Sequence, residues 1–478
     1  MSTAIDTEAA DSRVVATIGM RLTDLGNAER LIARYRDRIR YCPPRRRWLA
    51  WDGRRWAWDQ TGEVERLAKT TARAIYAEAE HARDGDEAQA IARHAHKSEQ
   101  AARIKAMIEL AQTEPGIPVT PDQLDAQPVL LNARNGTIDL HTGALREHRR
   151  DDLLTRLAGA DYVPASHSDL WERFLSEATG GDGDLACYLR RAVGYALYGA
   201  VCEKSFWFLY GPPDGMKSTF IAAIAGAFGD YAVSADPTTW LVQTSTGGNR
   251  GDLVALLGAR LVTSVEFRKG ARFDEALLKR VTGGDRLTAA AKYEAEVEFV
   301  PSFALWFAAN DAPAIRDDDE GAWSRVRRIP FCHTLPKDRQ DLRMREKLAA
   351  AEVRSAVLAW AVRGCIEWRR DGLGTCTAVE RSTQDYRAEM DRIAGFLDCE
   401  CELHPAASMP SKDFRAAYEA WCAEQGTRPL AGKEVAERLR ALGVELTRTG
   451  QARRYQGIRL AVTPVTAGDV SSREFPHE

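Results

Sequence analysis

Long apolar runs are missing from this 478-residue chain. None approaches the roughly 20 residues that cross a bilayer as a helix. The amino terminus, MSTAIDTEAAD, is polar and acidic where a secretory signal would be basic and then apolar. The expectation is a cytoplasmic protein with no membrane partner, in a bacterial host if the chain is phage- or plasmid-borne. A regular cysteine framework is also missing, and nine scattered cysteines fit reduced thiols. Only Cys399, Cys401 and His404 come near a ligand cluster; a Cys-x-Cys pair with one histidine offers at most three ligands at the wrong spacing for zinc. A charge excess is absent too. A net charge of −3 excludes a general polycation, so any nucleic acid must be held by local basic surfaces or inside a ring. Apolar content of 45% and charged content of 28% are ordinary for globular chains and exclude wholesale disorder. The length allows about three domains.

What is present centres on Phe206 to Phe220, FWFLYGPPDGMKSTF. Large apolar residues read as a buried strand, which breaks into a Gly/Pro turn and then into residues that suit a helix. Strand, phosphate loop and helix in that order surround phosphate oxygens with backbone N–H groups and the positive end of the helix. The loop residues are Gly211, Pro212, Pro213, Asp214, Gly215, Met216, Lys217, Ser218 and Thr219. Lys217 is placed to reach β- and γ-phosphates and the Ser218 hydroxyl to bind Mg²⁺. The usual spacing ends Gly-Lys-[Ser/Thr]; here Gly215 falls one place early and Met216 precedes the lysine.

Around this stretch the chain reads as a mobile tail over residues 1–20 and an α+β leader over 21–165. The leader opens with a helix from Asp24, a plausible N-cap, and continues into PPRRRWLAWDGRRWAWD, where Trp48, Trp51, Trp56 and Trp58 alternate with arginines. Aromatics beside arginines suit a single-strand binding surface. Two short strands about Asp52-Gly53 that bury some of the tryptophans and snorkel the arginines are the favoured reading. Val64 to Ala111 is helical, Thr137 to Leu140 belongs to a small meander, and Leu170 to Gly199 is helical again. Beyond the loop helix, ARLVTSV (259–265) is a second apolar strand with Glu266 at its end, where a carboxylate orients water or supports Mg²⁺. Two short strands flank Lys292-Tyr293. SFALWFAA (302–309) is a third strand ending in Asn310, an amide able to hold water or sense a γ-phosphate. Arg325, Arg327 and Arg328 follow an acidic turn; they read equally as a paired surface cluster or as guanidinium groups projected toward a neighbouring subunit.

The order of these features resembles the superfamily 3 helicases. The phosphate loop, the strand-end acid, LKRVTGGD, the strand ending in Asn and Trp-x-Arg near Ile-Pro-Phe are most similar to the helicase part of phage, plasmid and poxvirus primase-helicases. DLGNAERL, WLAWDGRRW and LLNARNGTIDL look like the leader of such proteins. The resemblance implies an α/β fold: an AAA+-type P-loop ATPase core with an α+β N-terminal leader and a C-terminal winged-helix domain. It implies a homo-oligomeric ring, hexameric in form, with ATP and Mg²⁺ between subunits. Glu266 takes the Walker B position, Asn310 the sensor amide, and Arg325 the finger acting in trans. Lys292 and Tyr293 tip a hairpin in the central channel. Val265 stands where many members have a second acid, and Ser324 where many have an arginine.

The expected boundaries are a helical collar at 166–204, the ATPase core at 205–335, a helical lid and linker at 336–378, the winged-helix domain at 379–465 and a tail at 466–478. In the winged helix, Arg438 and Arg440 lie on the second helix and Arg448, Arg453 and Arg454 on a basic hairpin. The function expected is ATP-driven unwinding during replication of a phage, plasmid or integrated element. It would act on single-stranded and forked DNA, without its own primase domain and with a separate primase or polymerase as a possible partner. Two alternatives stand beside it: a nucleotide-binding origin-recognition protein or scaffold with weak ATPase, and a motor acting on protein.

Overall fold

Thr23 starts the first helix of the computed structural model, which describes residues 17–243, 250–290, 296–315, 319–390, 392–424, 429–449 and 452–461. Its hydroxyl accepts from the Gly26 N–H at 3.1 Å, so the cap of helix Asp24–Tyr35 lies one residue before Asp24. Arg30 leaves this helix inward. It makes a bidentate pair with Glu78 and donates to the carbonyls of Met20 and Arg21. Thr17 is fully buried and accepts from Arg34, so packing starts inside the stretch expected to be a tail.

Next come β1 (Ile39–Cys42), β2 (Arg47–Trp51) and β3 (Trp56–Trp58), an antiparallel sheet with Trp51 opposite Trp56 across the Asp52-Gly53 turn. Trp56 is buried against Leu49, Cys42 and Val119, while Trp48, Trp51 and Trp58 stay half-buried. The helical stretch resolves into Glu63–Glu78, Gly85–Ser98 and Ala101–Ala111. A second meander, β4 (Leu130–Ala133), β5 (Gly136–Asp139) and β6 (Ala144–Arg146), precedes helices Asp169–Ala178 and Gly183–Ala196.

The core sheet is built from β7 (Phe206–Tyr210), β8 (Ala232–Ser234), β9 (Leu261–Val265), β12 (Ala304–Ala309) and β13 (Val326–Pro330). All five are parallel, in the order β13-β7-β12-β9-β8. Such a sheet is covered on both faces, which is why β7 is apolar throughout. On one face Trp207 stacks on Trp306 at 5.3 Å and Phe220 packs beside them; on the other, Phe206 meets Phe273 and Phe307. Between β9 and β12, β10 (Leu287–Ala289) pairs antiparallel with β11 (Val297–Phe299), the stem of the expected hairpin. Lys292 and Tyr293, the tail at 466–478 and most of the loop from Thr244 lie outside the described residues.

The longest described helix lies in the stretch expected as lid and linker. Ala351–Asp371 is a core helix, with Val357, Trp360, Ala361 and Val362 at most 2% exposed. It crosses Gly183–Ala196 where a Cβ on Gly194 would meet the Cys365 nitrogen at 2.1 Å, and one on Gly364 the Arg190 carbonyl oxygen at 2.0 Å. Paired glycines let the two backbones touch.

Contacts divide the chain into Met1–Ala314 with Ser324–Ser382, and Ile315–Trp323 with Thr383–Glu478. The second unit contains helix Arg392–Glu400, β14 (Cys401–Pro410), helices Ser411–Glu424 and Gly432–Ala441, β15 (Glu445–Thr449) and β16 (Ala452–Leu460), with sheet order β14-β16-β15. Phe396, Phe414, Tyr418, Leu439 and Ile458 form its core. The sequence reading had the two later helices and the hairpin but not β14. Its prolines argue against a strand, yet β14 is an edge strand and Pro405 falls in the register break between Leu403 and Ser408.

No helix among the described residues is long and apolar enough to cross a membrane. Gly364→Ala is expected to lower stability by roughly 2 kcal/mol or more in urea unfolding, because the new methyl meets backbone that cannot rotate away; an unchanged midpoint would contradict the helix crossing.

Candidate nucleotide site

Parallel strands all end on the same side of a sheet, and ligands of such sheets sit at those carboxyl ends. β7 runs out at Tyr210 into the glycine-rich loop, β9 at Val265 into Glu266, and β12 at Ala309 into Asn310. A cleft of about 520 Å³ opens there, lined by Pro213 to Thr219, Glu266, Asn310 and Asp311. A larger cleft of about 790 Å³ lies between β3 and Asp230, but its charges are paired: Arg38 with Glu63, and Arg55 with both Asp52 and Asp230.

The loop is shaped by close approach. A Cβ on Gly215 would stand 2.5 Å from the carbonyl oxygen of Phe331, just past β13, so only glycine fits where the loop presses on the neighbouring strand's end. Met216 takes the left-handed conformation, φ 61°, directly before helix Lys217–Phe228, whose first turn has no side-chain cap. That is the geometry for which glycine is the usual choice, and a methionine there costs about 1 kcal/mol. Its side chain is half-buried against the core, which offsets part of that cost. Asp214 (φ 63°) and Glu266 (φ 63°) are left-handed as well. Three of the six non-glycine residues with positive φ among those described therefore surround one cleft. Strain concentrated this way marks functional sites.

Lys217 is the centre of the site. It is 7% exposed, and its Nζ donates to the Gly211 carbonyl at 2.8 Å, the Pro212 carbonyl at 2.7 Å and Asn310 Oδ1 at 2.8 Å. Three donors meet three oxygens, leaving the ammonium satisfied. Burial lowers its pKa from the ordinary lysine value, while nearby Cys332 and Asp214 act in the opposite direction. Glu266 is exposed, and its N–H donates to the Ala308 carbonyl at 3.0 Å, which fixes the backbone at the strand end. Ser218 lies in the first helical turn, facing the same cleft.

The structure thus brings Lys217, Ser218, Glu266 and Asn310 together. It keeps Arg325 apart. The Arg325 carbonyl accepts from the Phe206 N–H at 2.9 Å, at the start of β7, whereas the loop follows the end of β7. On the order of 15 Å of strand separates them. Arg328 is buried, 3.8 Å from the Tyr210 ring centroid and bonded to Ser382 Oγ, and Arg327 donates to the Ser324 and Val326 carbonyls. Arg438 is half-buried; Arg440, Arg448 and Arg453 are exposed, and Arg454 is tied to Ser408 through its carbonyl and Oγ.

Sequence reading missed part of the cleft wall. Phe174 and Glu177 come from helix Asp169–Ala178, and Gln340, Leu342 and Arg345 from the segment before the core helix. Phe174 shows only an apolar helical face in sequence; nothing local says that the face borders a ligand cleft.

The D5 N terminal like family matches residues 28–180. Residues 28–180 are thus similar to a D5 N-terminal-like domain. The matched segment ends between helices Asp169–Ala178 and Gly183–Ala196, inside the expected collar, and its last helix supplies the Phe174 wall of the cleft. Around it the chain is similar to the "Putative helicase L207/L206" of Acanthamoeba polyphaga mimivirus, 24% identical over 57% of this chain and 30% of that protein. It is likewise similar to the "Putative helicase 022R" of Frog virus 3 (isolate Goorha), 24% identical over 63% of this chain and 39% of that protein. The matched segment is thus about a third of those viral proteins. Among solved structures, the A form apo structure of the NrS-1 C terminal region aligns over 88% of this chain and 96% of its own, at 9% identity and a TM-score of 0.46.

Two neighbouring loop substitutions should behave in opposite ways. Gly215→Ala is expected to cost about 1–3 kcal/mol by forcing the loop off Phe331. Met216→Gly should stay within about 1 kcal/mol of the parent, as relief of the left-handed backbone offsets lost packing. Thermal unfolding of both variants checks this; equal losses would mean that the loop is not held as described.

Proposed function

We propose that this chain is an ATP-dependent DNA helicase that works as a ring of identical copies, hexameric as in the superfamily 3 helicases it resembles. It moves along single-stranded DNA and opens forked duplex during replication of a phage, plasmid or other mobile element. The observation that carries the reading is the ammonium of Lys217, held by two loop carbonyls and by Asn310 at the carboxyl edge of a parallel sheet. The sheet order supports it: β12, ending in Asn310, lies between the phosphate-loop strand and the strand ending in Glu266, as in AAA+-type ATPases. The curated relatives, named as helicases, support it as well.

In this reading Lys217 exchanges its loop carbonyls for β- and γ-phosphate oxygens, and Asn310 holds the attacking water against the γ-phosphate. Glu266 takes the proton from that water. Ser218 and Glu266 both line the cleft, and a hydroxyl with one carboxylate is a donor set that suits Mg²⁺. Magnesium is normally held by one or two protein groups with the rest from phosphates and water. Ser218 and Glu266 would be those groups, and the ion would neutralise charge on the phosphates. Arg325, at the far edge of the sheet, acts in a neighbouring copy's site.

The carboxy-terminal unit has the helix-strand-helix-helix-hairpin order of a winged helix. Arg448 stands directly opposite Arg453 on its hairpin, a like-charge pair that a DNA phosphate would relieve. Arg438, Arg440 and Arg454 extend that surface. A separate primase or polymerase would complete the replication task. A second reading, an origin-binding or scaffold protein with weak ATPase, draws on the strained Met216 and on Val265 in place of a second acid.

ATP hydrolysis by the wild type should rise with added single-stranded DNA and fall at least ~100-fold in Lys217→Ala. No stimulated activity in the wild type would favour the scaffold. Lys292→Ala should keep basal ATPase and assembly while losing strand displacement; normal unwinding by that variant would remove the channel-hairpin assignment.

A further inference from the structure

The nucleotide site leaves unused the most basic stretch of the chain. Residues 34–58 hold nine arginines against two aspartates, in a protein of net charge −3. Four are committed. Arg34 lies 3.9 Å from Glu78, Arg38 pairs with Glu63, Arg55 pairs with Asp52 and Asp230, and Arg40 donates to the Ile39 and Arg36 carbonyls beneath the Trp56 ring. Arg36, Arg45, Arg46, Arg47 and Arg54 are exposed and enter no ion pair among the described residues. Pro43 and Pro44 stiffen the short helical turn that carries Arg45, and Arg46 follows in a left-handed conformation, φ 50°. Arg45 and Arg47 both lie over the half-buried Trp58 ring, at 5.5 and 5.2 Å.

Packing on Trp58 explains two of these arginines. It does not explain Arg46 or Arg54, or why three consecutive guanidinium groups share a rigid turn without a carboxylate. Like charges held together repel, and the arrangement is relieved by a polyanion. We propose that the Pro43–Arg47 turn of the D5 N-terminal-like segment, with Trp58, is a binding surface for single-stranded DNA, separate from the ring channel and the winged helix. Guanidinium forks match phosphate oxygens in pairs, and an aromatic face beside them accepts a base of any sequence. A base arriving on Trp58 displaces one of the two guanidinium groups, which is then released to the adjacent phosphate. This chemistry favours a nucleic acid strand over an acidic protein, which has phosphate-like charge but no planar bases. The proposal rests on the helicase reading and adds a second grip on the strand.

Fluorescence anisotropy of a labelled oligo-dT with the full chain, without nucleotide and over a range of KCl, tests it. R45A/R46A/R47A should bind at least ~10-fold more weakly near 0.1 M salt, and its slope of log K against log salt should be shallower by about 2, as three released counterions dictate. R46A, which leaves the Trp58 stack intact, should flatten the slope by about 0.7. DNA-independent ATPase should be unchanged in both. Parent-like affinity and slope in both variants, with ATPase intact, would overturn this surface and leave the helicase reading standing. A wild type that neither hydrolyses ATP nor binds the oligonucleotide would overturn both. Displacement of the oligonucleotide by polyglutamate as readily as by unlabelled oligo-dT would reassign the turn to an acidic protein.

Discussion

Five parallel strands ending at one edge leave that edge with nowhere to continue except into loops, and the contact between Gly215 and the Phe331 carbonyl decides how the critical loop runs. With no side chain at 215, the loop lies against the end of β13. It then turns through Met216 in a left-handed conformation and delivers Lys217 to the first position of its helix. The lysine can reach Asn310 only because β12 lies directly beside β7 in the sheet. Moving any of these three backbones by a residue would leave a buried ammonium without one of its oxygens, a loss of the order of 1–3 kcal/mol.

The same edge explains why strain gathers there. Asp214, Met216 and Glu266 each hold a conformation that ordinary residues avoid. Glu266 is pinned through its N–H to Ala308 on β12. Three left-handed non-glycine residues lining one cleft are strain of the kind that gathers at functional sites. Arg325 has the opposite placement, at the starting edge of the sheet, beside the first residue of β7.

Much of this was legible before any coordinates. Gly211 to Thr219 could be read because a phosphate loop is local: strand, turn and helix are adjacent in sequence and their residue types differ sharply. Glu266 and Asn310 were legible as strand ends because β9 and β12 are continuous apolar runs. The order of the strands was not, since it depends on crossovers no local pattern records. Phe174 and Glu177 were missed because the cleft wall they form is tertiary. The crossing of Ala351–Asp371 with Gly183–Ala196 was not legible, because Leu348, Val353, Val357 and Trp360 give the same apolar face whatever the helix packs on; the glycine pair at 194 and 364 sets the crossing and carries no signature alone. β14 was hidden by prolines that an edge strand tolerates. The tryptophan-arginine segment was read as a packed hairpin, and it is one, with Trp56 buried; its exposed arginines show that packing and binding need not exclude each other.

The central claim is that the oxygens now held by Lys217 stand in for those of a nucleotide. A crystal structure of the chain with Mg²⁺ and a non-hydrolysable ATP analogue tests it most directly. The account predicts the triphosphate in the Gly211–Thr219 loop, Lys217 Nζ moved from the Gly211 and Pro212 carbonyls to phosphate oxygens, and Asn310 and Glu266 facing the γ-phosphate. Analogue bound elsewhere, or bound in the cleft with Lys217 still on its loop carbonyls, would contradict it.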